Sequence, residues 1–264
     1  MELILIYLAA GAVAGLIAGL FGVGGGLIIV PVLVYVFTGQ GIEQNVLVHL
    51  AIGTSLATIV FTSISSVRSH HKRGAVRWDL FWQLTPAIVL GALLGSALAD
   101  WMPASLLGRV FAVFEWLVAL QLLLNFKPRP GRTVPGRFGM SLVGAGIGSI
   151  SSVVGVGGGT MTVPFLVWSN VSVHQAVGTS SASGIPIAVA GAVGFIVMGW
   201  GATDSLSWSL GYLYLPAFLG IVAASILFAP IGARIAHRLP GDKLKRLFGL
   251  FLLGLGFYMF LHTK

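Results

Sequence analysis

A chain of 264 residues that is 56% hydrophobic and only 8% charged, with 15 basic and 7 acidic side chains and a net charge of +8, cannot dress the surface of a soluble globule, where about a quarter of residues are charged. The same composition excludes a disordered polar chain, and the absence of Cys excludes disulfides, thiolate metal sites and Cys nucleophiles. Gly accounts for 37 residues, about twice the usual ~7% share, which suits closely packed or interrupted membrane helices.

The first apolar stretch, 3–38, follows Glu2 and has no basic region of the kind that opens a signal peptide, so it is kept as part of the mature fold. It is longer than one crossing and is interrupted at Gly22–Gly26. Stretches 46–67, 80–99 and 105–126 follow, each near the ~20 residues that cross a bilayer. The loop 127–137 is basic. Stretch 138–169 is again too long for one crossing and is interrupted at Gly155–Gly159, and 173–200, 208–229 and 247–262 complete the chain. Trp78, Trp101, Trp200, Trp208 and Tyr258 near the ends suit interfacial belts.

Residues 21–34 (FGVGGGLIIVPVLV) and 154–167 (VGVGGGTMTVPFLV) agree at nine of fourteen positions, and HLAIGTS (49–55) and HQAVGTS (174–180) at five of seven. Pro86-Ala87 with Pro216-Ala217, and Arg109-Val-Phe111 with Arg246-Leu-Phe248, repeat in the same order. The chain therefore divides into repeats 1–126 and 138–264 joined by 127–137. Thirteen of the fifteen basic residues fall in three gaps, around Arg68–Arg77, Lys127–Arg137 and Arg234–Arg246, which read as cytoplasmic loops. No aromatic-interleaved basic surface accompanies them, so nucleic acid is not an expected partner. All three gaps lie on one side only if 138–169, and by the repeat 3–38, enter and return. Each half is then a re-entrant hairpin plus three crossings. That makes an all-α polytopic membrane protein of two inverted repeats, an arrangement of many secondary transporters, with both termini outside.

The doubled GVGGG, each copy leading into a helix with Pro, and the doubled His-x3-Gly-Thr-Ser resemble the TauE/SafE sulfite exporter family of membrane proteins over essentially the whole chain. The resemblance implies transport, most simply export, of small sulfur-containing anions such as sulfite or organosulfonates across the bacterial plasma membrane, with the lipid bilayer as surroundings, no cofactor and no enzymatic activity. Homo-oligomer formation stays open.

The residues themselves suggest how an anion is held. Irregular backbone inside a membrane is tolerated where protein covers it or it lines a wet cavity. Helices starting at Leu27 and Thr160 would aim their positive ends at the glycine bends. The expected substrate-binding set is Gly24, Gly25, Gly26 and Leu27 with Gly157, Gly158, Gly159 and Thr160, against a purely packing role for the glycines. Thr54, Ser55, Thr179 and Ser180 can add hydroxyl donors, or instead bond carbonyls of their own helices. His49 and His174, at matched positions, and Glu115, the one acid deep in a span, are candidates for proton coupling; the histidines alternatively sit at helix starts. His70 and His71, in a basic loop, read as solvated or near lipid headgroups. No metal site is expected, because no carboxylate or Cys accompanies either matched His, and Gly144-x-Gly146-x-Gly148 lacks the strand a nucleotide fingerprint needs. The rival readings are a passive anion channel of the same fold and a membrane scaffold protein. A membrane enzyme would need convergent nucleophiles, bases or metal ligands, for which only two His and one Glu are candidates.

Overall fold

The computed structural model describes residues 2–124, 133–204, 206–236 and 242–263, with side chains from residue 246 onward in the last stretch. Residues 127–132 of the linker, with Lys127, Arg129 and Arg132, lie outside the described residues, as do Arg238 and the side chains of Lys243 and Lys245. The elements are α1 (Glu2–Phe21), α2 (Gly26–Gly39), α3 (Gln44–His71), α4 (Trp78–Trp101), α5 (Ala104–Leu123), α6 (Arg137–Val154), α7 (Gly159–Trp168), α8 (Val173–Met198), β1 (Ser209–Leu210), β2 (Leu213–Tyr214), α9 (Leu215–Ala236) and α10 (Asp242–His262). Among the described residues, seven helices (α1, α3, α4, α5, α6, α8 and α9) are long and apolar enough to cross a membrane. The chain is a multi-pass, all-α membrane protein. The helices α2 and α7 hold 14 and 10 residues, about 21 and 15 Å at 1.5 Å per residue.

The span expected at 208–229 is corrected at its start. Residues 209–214 form a short antiparallel ladder, Ser209 opposite Tyr214 and Leu210 opposite Leu213, and the helix runs Leu215–Ala236. Gly211 turns the ladder with φ +53°, which a helix beginning at residue 208 would not allow.

Helix pairing crosses the midpoint of the sequence: α1 packs on α9, α4 on α6, α3 on α8 and α5 on α10. Small residues let the backbones touch. A Cβ on Gly11 or Gly15 of α1 would lie 2.3 and 2.6 Å from the carbonyls of Ile221 and Ser225 on α9. A Cβ on Gly144 or Gly148 of α6 would lie 2.9 and 2.2 Å from those of Leu84 and Ile88 on α4. The second set of contacts repeats the first at shifted positions. Without a hydrophobic drive between helices in lipid, such close packing supplies much of the association. The helix α3 is buried along most of its length, whereas Trp82, Leu90 and Leu94 on α4 and Leu219 and Leu227 on α9 point outward, as lipid-facing side chains do.

The helix ends sort to two faces. Gln40 Nε2 donates to Tyr7 Oη (3.2 Å), so α2 runs back alongside α1 toward the start of α1. His49 Nε2 lies 3.0 Å from the Ala99 carbonyl, joining the start of α3 to the end of α4. Glu2, Glu43 and Asp100 occupy this face; Arg68, Lys72, Arg73 and Arg77 occupy the opposite one, at the loop between α3 and α4. Arg77 and Asp79 pair there at 2.6 Å. His70 differs from expectation: it is buried (1% exposed) with Nε2 3.1 Å from the Gly19 carbonyl, because the end of α3 lies against the last turn of α1.

Candidate anion site between two glycine turns

The chain between α1 and α2 and that between α6 and α7 reverse within a few residues. Gly25 and Gly158 are the caps of α2 and α7, with φ of +85° and +75°, left-handed values that β-carbon-bearing residues rarely take. Neither helix has a side-chain cap. The N–H groups of Gly25, Gly26 and Leu27, and of Gly158, Gly159 and Thr160, find no backbone acceptor among the described residues. Six amides are thus left at two helix starts, where the backbone dipoles favour negative charge.

The two turns meet. Gly157 N–H donates to the Val23 carbonyl (3.3 Å). A Cβ on Gly26 would lie 2.2 Å from Gly155 O, and one on Gly159 2.1 Å from Gly22 O. Both turns lie beside the middle of α3, since Gly24 and Gly157 each face Ile59 and Gly155 faces Ile52. The glycine runs therefore bring backbone against backbone at the centre of the molecule.

The two Gly-Thr-Ser stretches hold this junction from outside, in matched pairs. Ser55 Oγ donates to Gly155 O (2.9 Å) and Ser180 Oγ to Gly22 O (3.1 Å). Thr54 Oγ1 accepts from Tyr214 N–H and Thr179 Oγ1 from Arg77 N–H, both at 2.9 Å. Each of these residues reaches a partner in the other half of the chain, not a carbonyl of its own helix. The serine hydrogens go to the turns, so Ser55 and Ser180 shape the junction. A Cβ on Gly53 or Gly178 would sit 2.2 and 2.4 Å from the carbonyls of Tyr212 and Ala75, which explains the glycine preceding each pair.

Around α7 the pairing breaks down. The hydroxyls of Ser151, Thr160, Thr162 and Ser183 are buried with no hydrogen-bond partner among the described residues. Ser151 Oγ lies 3.3 Å from the position a Cβ would take on Gly158, the α7 cap. Ser183 precedes Gly184, whose Cβ would lie 3.1 Å from the Gly157 carbonyl. The first half has Ala18, Leu27 and Ile29 where the second has Ser151, Thr160 and Thr162. The α2 start is packed in the core, whereas Thr160, Met161, Val163 and Phe165 of α7 are partly open. The partnerless hydroxyls thus gather around α7, a set called the α7 cup below. Three of its residues, Ser151, Thr162 and Ser183, escape a reading that follows identities between the repeats. The signal lies in the differences, LII against TMT.

His49 and His174 do not come together with the turns. His49 is buried at the start of α3, stacked on Tyr212 at 5.1 Å. Tyr212 in turn donates to Asp100 Oδ1 (3.2 Å), and burial, then the neighbouring Asp100 charge, push its hydroxyl up to about 12. His174 is exposed at the start of α8. Glu115 is fully buried in the middle of α5, and its two carboxylate oxygens have no hydrogen-bond partner among the described residues. Arg109 of the same helix is exposed.

Comparison with known proteins agrees with this architecture. The family model described as sulfite exporter TauE/SafE matches residues 7–259. A probable membrane transporter protein of Haemophilus influenzae is 39% identical over 260 residues, covering 98% of each chain. Another of Methanocaldococcus jannaschii is 24% identical, over 95% of this chain and 93% of its own. The probable membrane transporter protein YdhB of Bacillus subtilis is 25% identical, over 88% and 89%. No solved structure matches.

Proposed function

We propose that this chain, which belongs to the TauE/SafE sulfite exporter family of membrane transporters, is a secondary transporter of small sulfur-containing anions, sulfite or an organosulfonate, across the bacterial plasma membrane. One observation carries the reading: two glycine turns meet at the centre of the helix bundle and leave six amides without backbone acceptors beside partnerless hydroxyls. Such groups are costly to bury unless they find partners. An oxyanion held by helix starts and hydroxyls supplies those partners without a lysine.

In the bilayer, the α1–α2 and α6–α7 pairs act as re-entrant hairpins from opposite faces and the halves as inverted repeats. The matched contacts of α1 with α9 and α6 with α4 support this. The Arg-rich face is the cytoplasmic one by charge, with both termini outside. Substrate binds at the α7 cup, with the amides of Gly158, Gly159 and Thr160 donating, while Gly157, engaged with the Val23 carbonyl, ties the two turns together. The α2 start, with Gly24, Gly25, Gly26 and Leu27, adds its dipole from the other side. Ser55, Ser180, Thr54 and Thr179 hold the geometry. The turns are in direct contact, which closes the path and favours a carrier that alternates access over an open channel. Proton coupling is assigned to Glu115, since His49 is engaged with the Ala99 carbonyl and Tyr212 and His174 is exposed away from the turns.

The test is flux in liposomes holding the purified protein, against sulfite, sulfate, thiosulfate, sulfoacetate and chloride. Saturable uptake with counterflow of sulfite is expected. It should fall at least tenfold when Ser151 and Thr162 are replaced by Val. Normal flux in a folded double variant would sink the site assignment.

A further inference from the structure

Resting on that reading of the α7 cup, we infer that the site takes its substrate as a singly charged anion and rejects the corresponding dianion. The argument is one of charge balance. Among the described residues no Lys or Arg side chain is buried. Arg68, Lys72, Arg73, Arg109, Arg137 and Arg234 are exposed. The positive end that the cup offers is therefore backbone alone, roughly half a charge at each of the two helix starts, or about one charge where the turns meet. A sulfonate or hydrogensulfite ion balances that. A sulfite or sulfate dianion leaves one negative charge uncompensated in a buried site, the arrangement that low-dielectric interiors penalise most.

The hydroxyls act in the same direction. Ser151, Thr162 and Ser183 each offer one O–H donor and free lone pairs, so they distribute hydrogen bonds over three sulfonyl oxygens but add no net charge. They also accept a hydrogen bond from an S–OH group, which a fully deprotonated ion does not carry. Glu115, the one carboxylate buried among the described residues, contributes either nothing or a further negative charge. Nothing described in the membrane interior favours a second negative charge on the guest.

Two probes of similar shape and fixed charge test this: methanesulfonate, with one negative charge, and sulfate, with two. Binding of each to the purified protein is measured by titration calorimetry, and exchange by counterflow in liposomes. Methanesulfonate should be preferred by on the order of a hundredfold, the scale expected for one unpaired buried charge. A second variant adds the missing charge: Thr160→Lys, at the partly open start of α7, should raise sulfate binding relative to methanesulfonate by roughly tenfold or more. Sulfate binding as tightly as methanesulfonate to the unmodified protein, or Thr160→Lys strengthening both equally, overturns the charge inference while leaving the site in place. The site itself falls if Ser151→Val and Thr162→Val leave methanesulfonate binding unchanged.

Discussion

Replacing Gly159 with Ala tests the central junction directly. The new methyl would lie 2.1 Å from the Gly22 carbonyl oxygen and 2.5 Å from Val23 Cα, both backbone atoms that cannot rotate away. The start of α7 has to withdraw by about 1.3 Å to reach the 3.4 Å of ordinary contact. Such a shift stretches the Ser180–Gly22 bond of 3.1 Å and the Gly157–Val23 bond of 3.3 Å past useful length. Overpacking costs about 1–3 kcal/mol, and each hydrogen bond lost about 1 kcal/mol. The total is about 3–5 kcal/mol, a fall in melting temperature on the order of 10 °C. Gly146→Ala is the matched control, because a Cβ there meets nothing within 4 Å; it should be neutral or stabilising by up to about 1 kcal/mol. Thermal melts followed by circular dichroism in detergent compare the two, and flux in liposomes follows. If Gly159→Ala melts with the unmodified protein, the turns are not in the backbone contact described above.

Four further outcomes follow from the same geometry. Ser151→Val and Thr162→Val remove buried hydroxyls that have no partner, so each should keep or raise the melting temperature while cutting sulfite flux at least tenfold, a split that a structural role would not give. Thr54→Val and Thr179→Val strip the acceptors from Tyr214 N–H and Arg77 N–H; each should lower stability by about 1–3 kcal/mol, and by similar amounts, since the two sites are equivalent. Tyr212 has its hydroxyl raised from 10.0 to about 12. The stability it contributes is complete below 10.0 and is lost as pH climbs through about 12, so Tyr212→Phe should flatten the fall in melting temperature across that window. Glu115→Leu copies Leu252, the buried residue at the matching position of α10, and should stabilise the fold while abolishing uptake driven by an imposed pH gradient; undiminished gradient-driven uptake would remove the coupling assignment.

Much of this architecture is legible in the sequence because the physics that sets it is local. The apolar lengths give the spans, and the glycine runs mark where the chain reverses between α1 and α2 and between α6 and α7. What escapes is set by contacts between distant segments. Nothing local tells that Thr54 and Thr179 accept backbone amides from the other half, since a buried Thr most simply bonds its own helix. His70, next to basic residues, reads as solvated, yet α3 carries it inward to Gly19. The start of α9 is misplaced for a similar reason: Trp208 to Tyr214 is apolar enough to pass for helix, and only the turn at Gly211 makes it a ladder. Ser151, Thr162 and Ser183 look like ordinary small membrane residues until their lack of partners is seen in three dimensions.

Repetition and its failure have separate roles in this molecule. Contacts that recur in both halves, the serines on the turn carbonyls and the threonines on the incoming amides, are those that hold segments of the two halves against one another. A carrier needs that equivalence if its two access states are to be related by exchanging the roles of the halves. Recognition has the opposite need. In the proposed site a single small guest would be contacted from both turns, and a fully paired site would duplicate every hydroxyl where the two backbones already touch. Filling the first half with Leu27 and Ile29, both buried, while placing Thr160 and Thr162 in the second, leaves the polar contacts on one hairpin and an apolar wall on the other. Exchanging the two triplets, LII for TMT, should therefore carry two hydroxyls to α2 while Ser151 and Ser183 stay behind, and methanesulfonate binding measured by titration calorimetry should fall; unchanged binding would refute the assignment.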